Sequence, residues 1–308
     1  MSDQSSYLAD CSITTGVVRL ADLAYILCTR DALVEQDIPN TRFFRHYQGR
    51  WGGQEVRWLA CSATIVRQPD ERVLMLGVTA EVWAAGGGQS AEEPPVRQGT
   101  IDPRNRGPMT EIRCIAAGRA YAIGTNRQAY RRDAPGRWVC IDQTAQSPGQ
   151  DPINTGFKSI DGFSEEEIYA VGWGGEIWQY DGATWTQHAS PTNVALQKIR
   201  CADDGTAYVC GQAGMVLRGR GTTWQPILHD ATTEDLWGME WFDGRLFVSS
   251  THFIYELKDG TLARIDFGRG DYPRTCYHLS AADGIMWSMG AKDIFEFDGT
   301  TWTRILAL

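Results

Sequence analysis

The chain has 308 residues, 43% hydrophobic and 22% charged, with a formal net charge of −9 and only four lysines (Lys158, Lys198, Lys258 and Lys292). This composition excludes a disordered chain, which needs few apolar residues and high charge, and a coiled coil, which draws about half its residues from Ala, Glu, Lys, Leu and Arg. No run approaches the ~18 apolar residues of a membrane helix.

The N-terminus, Met1 to Asp10, is polar and has no basic start followed by an apolar run, so no secretory signal is expected. No Asn-x-Ser/Thr acceptor occurs, and the expected location is the cytoplasm. Eight cysteines are scattered without a Cys-x-x-Cys and are expected as reduced, mostly buried thiols. A Cys201–Cys210 bridge between neighbouring strands stays open at this level.

A five-residue apolar run then recurs along the chain. It reads Ala24-Tyr25-Ile26-Leu27-Cys28, Val73-Leu74-Met75-Leu76-Gly77, Ala120-Tyr121-Ala122-Ile123-Gly124 and Ile168-Tyr169-Ala170-Val171-Gly172. It returns as Ala207-Tyr208-Val209-Cys210-Gly211, Leu246-Phe247-Val248-Ser249-Ser250 and Met286-Trp287-Ser288-Met289-Gly290. The copies end at intervals of 49, 47, 48, 39, 39 and 40 residues. Each has the length and continuity of a strand buried on both faces.

A more alternating strand follows each run, for example Glu176 to Tyr180 and Asp293 to Phe297. A hairpin turn and a Trp come next, as in Asp181-Gly182-Ala183-Thr184-Trp185, Gly221-Thr222-Thr223-Trp224 and Asp298-Gly299-Thr300-Thr301-Trp302. A further strand precedes each run, such as Ile112 to Ala117 and Phe157 to Asp161. The only helical turn expected is at Arg30 to Gln36. Four strands repeated seven times predict an all-β, seven-bladed β-propeller of four-stranded antiparallel blades. The expected organisation is a single domain over 1–308, with blades near 12–55, 56–101, 111–142, 157–188, 196–228, 235–266 and 274–306. Residues 7–11 are left open as an extra strand for the last blade.

Catalytic signatures are lacking: there is no Gly-x-Ser-x-Gly elbow, His-Glu-x-x-His pair, Walker loop or EF-hand loop. His46, His188, His229, His252 and His278 show no ligand spacing. The expected protein is not an enzyme and carries no cofactor or metal. Between residues 97 and 137 nine arginines accompany three acids, +6 on a chain of −9, which leaves −15 for the remainder. A local salt-bridge surface or partner patch is expected there, since direct nucleic-acid binding wants a basic domain overall. The run Glu165-Glu166-Glu167 reads as a solvated turn.

The connectors between blades are long, at 102–110, 142–156, 188–196, 228–235 and 266–274, whereas the Asp-Gly turns are minimal. One face is therefore elaborated, and binding residues concentrate on such loops. These connectors also carry Asp266, Arg269 and Arg274. The expected partner-binding residues are Trp173, His188, His229, Asp230, Glu234, Asp235, Asp271 and Tyr272. Aromatic anchors dominate interface energy, and acids steer basic partners. Trp138, Trp185, Trp224 and Trp302 recur at one blade position and are expected to pack between blades.

The Tyr-Asp-Gly-x-Thr-Trp turn at Tyr180–Trp185 and the Tyr-Ala-Val-Gly strand at Tyr169–Gly172 resemble bacterial propellers of the Asp-box and photosystem-assembly-factor type. The similarity is good over 112–306 and loose over 12–101. The Asp-box of sialidases reads Ser-x-Asp-x-Gly-x-Thr-Trp; here Asp181 and Gly182 are adjacent, which supports the fold and turn and not a sialidase. The leading expectation is a non-enzymatic protein-binding propeller. The resemblance implies an immunity-type protein that neutralises a basic toxin domain, because such propellers occur beside toxin genes. It would be a monomer outside its complex and bind neither membrane nor nucleic acid directly. The alternatives are a carbohydrate-binding or glycoside-processing propeller and an assembly-factor scaffold.

Overall fold

The structure, a computed structural model, describes residues 8–146, 155–268 and 270–307. Within them the chain forms seven four-stranded antiparallel sheets, each built from strands in sequence order, the architecture of a seven-bladed β-propeller. The sheets span 11–56, 60–93, 109–140, 157–188, 196–226, 238–264 and 278–307, so the seventh begins four residues later than the repeat suggests. The α-helix expected after Arg30 is the single turn Asp31–Val34. The chain divides into two compact units, Met1–Ala60 with His229–Leu308 and Cys61–Leu228. The first unit holds blades one, six and seven, and the second holds blades two to five.

The recurrent apolar run is the second strand of each blade, and its burial explains its composition. Ile168, Tyr169, Ala170 and Val171 are all buried, as are Leu74, Met75 and Leu76. Each large apolar side chain so placed contributes roughly 1.5–3 kcal/mol. The Asp-Gly turns divide into two kinds. Asp259 and Gly260 both take positive φ in a two-residue hairpin between Lys258 and Thr261. Asp181 and Asp298 instead accept backbone N–H bonds from the two and three residues ahead, at 2.7–2.9 Å, which closes an Asx turn.

In the second unit, a side chain on the first strand of one blade accepts a backbone N–H from the first strand of the next. Thr64 Oγ1 takes Cys114 N at 2.9 Å, Glu111 Oε2 takes Ile160 N at 2.8 Å and Ser159 Oγ takes Ile199 N at 3.2 Å. Three of the recurrent tryptophans also sit here. Trp224 meets Tyr169 of the preceding blade edge-on at 5.6 Å, and Trp185 Nε1 donates to Ile141 O at 2.9 Å. Trp138 joins a core with Val82 and Val96.

Seven of the nine arginines in the basic stretch are held by carboxylates: Arg104, Arg106, Arg113, Arg119, Arg127, Arg131 and Arg132. The stretch is thus largely salt-bridged, with Arg127 and Arg132 buried in their pairs. The acidic run at 165–167 is corrected by the same geometry. Glu165 accepts from Arg119 at 2.6 Å, and Glu167 pairs with Arg220 at 2.6 Å, so only part of that run faces solvent alone.

In the first unit, the strand Cys11–Leu20 is the first strand of its own blade, and the last blade uses four strands of its own. The seam between them is closed by hydrogen bonds. Val18 N donates to Ser280 Oγ at 3.0 Å, Ile13 N to Ala291 O at 2.9 Å, and Lys292 Nζ to both Cys11 O and Asp31 Oδ2 at 2.6 Å. Trp302 stacks on Phe297 at 4.7 Å and leans on Phe267 of the connector that leaves the sixth blade. All eight cysteines are free, which leaves Cys201 and Cys210 unbridged.

Candidate partner-binding surface

The sequence-derived candidates fall in both units, two in the second and six in the first. In the second unit, Trp173 opens a 3-10 turn, Trp173–Gly175, between the strands Glu167–Gly172 and Ile177–Tyr180. Its ring is half-buried and capped by the Lys158 ammonium, 3.8 Å from the ring centroid. Burial lowers the Lys158 pKa, so this cation is partly withdrawn from water. Trp173 is therefore already seated on its own blade. Gly175 lies against Thr192 O of the connector that begins at His188. The second-to-third-strand turn and the inter-blade connector thus share one side of this blade. His188 bonds Gln179 Oε1 at 2.9 Å, and burial lowers its pKa.

In the first unit, His229, Asp230, Glu234 and Asp235 occupy the connector that leads into the sixth blade, and Asp271 and Tyr272 the connector that leaves it. The two connectors meet at the start of the seventh blade. Gly238 backs onto Tyr277 O, and the charge of Glu234 reaches the Cys276 thiol, whose pKa is raised chiefly by burial. Asp230 and Glu234 are exposed. Asp271 is gripped by both Arg304 Nε, at 2.5 Å, and Arg304 Nη2, which holds its carboxyl below the usual range. The same guanidinium donates to Tyr272 O at 3.0 Å. Tyr272 is left 61% exposed on a braced loop, the posture of an interface anchor. Arg269 lies outside the described residues.

Sequence reasoning missed a cleft in this unit and the exposure of Trp237. The cleft has a volume of about 580 Å³. Its floor is apolar, with Ile254, Ile265, Phe267 and Cys276, and its rim carries Phe253, Arg264, Tyr272 and Arg274. The loop after strand Arg245–Ser249 and the connector after strand Thr261–Arg264 line it together. One local signal existed: Leu262 stands where five of the other blades carry Trp (Trp51, Trp138, Trp185, Trp224 and Trp302), and Phe267 is an aromatic outside the repeat. Among the described residues no group of three His, Cys, Asp or Glu side chains is placed to hold a metal ion, and no helix is long and apolar enough to cross a membrane.

Over 296 residues the chain is 47% identical to the "Immune protein Tsi7" of Pseudomonas aeruginosa, covering 94% of this chain and 96% of that one. No protein-family model matches. Solved structures match the fold at low identity. The WD40 β-propeller domain of Doa1 gives a TM-score of 0.68 at 12% identity, over 97% of this chain and 93% of that chain. YCF48 bound to D1 peptide gives 0.65 at 14% identity, over 95% and 94%. YCF48 from Cyanidioschyzon merolae gives 0.66 at 11%, over 92% and 94%.

Proposed function

The chain belongs to the family of the immune protein Tsi7, and from that premise we propose that it binds a protein toxin and neutralises it by masking. In this reading it works without catalysis, in the cytoplasm, as one propeller domain that is a monomer outside its complex. The near full-length identity to the immune protein carries the reading. We infer further that the toxin is basic. The chain is net −9, and Asp230 and Glu234 stand exposed on a connector. Acids so placed speed encounter with a basic partner, and the exposed Tyr272 would then slow dissociation.

The test is co-expression with toxins encoded beside this chain, followed by binding kinetics. Protection of the host cell and a stable complex are expected. The association rate should fall steeply with salt. In the triple variant Asp230→Lys, Glu234→Lys and Asp235→Lys it should drop at least about tenfold. No complex and no protection would overturn the immunity reading. A complex whose association rate ignores the triple variant would overturn the acidic-surface part alone.

A further inference from the structure

We propose that the cleft of the sixth blade receives an apolar side chain with a carboxylate beside it, presented by the protein partner. This deepens the protein-binding reading and rests on it. The volume, about 580 Å³, lies in the range of sites that enclose small ligands or a few side chains, roughly 300–1,000 Å³. The floor of Ile254, Ile265 and Phe267 favours an apolar occupant.

The rim decides the charge. The Arg264 guanidinium lies 3.4 Å from the Phe253 ring centroid. A guanidinium stacked by its face keeps its N–H edge for a bidentate carboxylate. Arg274 lines the same cleft. Among the described residues neither guanidinium has a carboxylate at ion-pairing distance, whereas the neighbouring Arg304 is engaged by Asp271. Three acids lie near. Asp266 accepts Gly268 N at 2.7 Å, Asp293 is buried and takes the backbone N–H of Arg274 at 2.6 Å, and Glu234 is felt at Cys276. The two cations therefore remain for an incoming anion. A cationic cleft among acidic connectors demands that the partner show both signs in one arrangement. That gives specificity which net charge alone does not supply.

The test uses the intact chain and a defined probe, N-acetyl-phenylalanine, against its amide, with binding followed by NMR. The acid should bind saturably and at least about fivefold more tightly than the amide, since a charged hydrogen bond is stronger than a neutral one. The advantage should vanish in the folded double variant Arg264→Glu, Arg274→Glu; Arg264→Gln alone, with its melting temperature checked, serves should that variant unfold. Equal binding of acid and amide, or no saturable binding, overturns the proposal. With a toxin complex in hand, the double variant should raise the dissociation rate at least about tenfold, and an unchanged rate overturns the docking role. If no toxin binds but the acid does, the immunity reading fails while the cleft's chemistry stands.

Discussion

A Cβ placed on Gly172 would lie 1.9 Å from the carbonyl oxygen of Gly156. The connector into the fourth blade crosses the end of that blade's second strand, and Trp173 N donates to the same carbonyl at 3.3 Å. The pattern repeats. A Cβ on Gly124 would meet Pro108 O at 2.5 Å, on Gly211 Ala195 O at 2.4 Å, and on Gly290 Thr275 O at 2.0 Å. The glycine that ends the recurring run is thus a steric requirement of the incoming connector. Gly172→Ala should cost about 1–3 kcal/mol, because backbone must shift. Gly52→Ala, exposed with nothing within 4 Å, should stay within about 0.5 kcal/mol. Urea denaturation of both variants decides this, and equal losses would contradict the crossing argument.

Acid lability should centre on Glu111. Burial alone would push this carboxyl up, but Lys198, Arg200 and Arg113 outweigh it and hold it at about 2, with Lys198 Nζ at 2.5 Å. The folded value lies below the ordinary 4.5. Its contribution is therefore complete above about 4.5 and is lost as pH falls towards 2. Glu111→Gln should flatten the stability profile across that window. At neutral pH it should cost on the order of 1–3 kcal/mol, since the half-buried Lys198 loses the carboxylate that pairs with it. The denaturation midpoint measured from pH 7 to pH 3 checks both.

The Trp224–Tyr169 contact joins two blades, so its loss should loosen the seam between them. Trp224→Ala is expected to cost about 3–5 kcal/mol. Trp302→Ala, whose indole is only half-buried, should cost less. Thermal melts of the two variants compare them directly.

The thiols should be unreactive in the native chain. Burial pushes Cys11 up to about 11 and both Cys61 and Cys210 up to about 12. It also raises Cys28, Cys114, Cys140, Cys201 and Cys276. Since the thiolate is the reacting form, Ellman's reagent at pH 8 should find no fast thiol in the native protein. It should find all eight after unfolding in guanidinium, because all eight are free. A native burst, or fewer than eight on unfolding, would contradict the assignment.

The blade count was legible because a buried strand and its turn are local. Ile168 to Gly172 and Asp181 to Trp185 announce themselves within a few positions, and seven such units define the fold. The surface was legible only as an inventory of connector residues. Asp271 reads as a steering acid until Arg304, 33 positions on, takes its charge, and Trp173 reads as an anchor until Lys158 caps it. The cleft left only a local trace, at Leu262 and Phe267, because Phe253, Arg264 and Arg274 converge from separate segments. Hydrophobic period and turn chemistry are written between near neighbours, so the seven blades can be read straight from the residue order. Which charges are paired, which rings are covered and where a cavity opens depend on distances between residues far apart in the chain, and these emerge once the chain is folded.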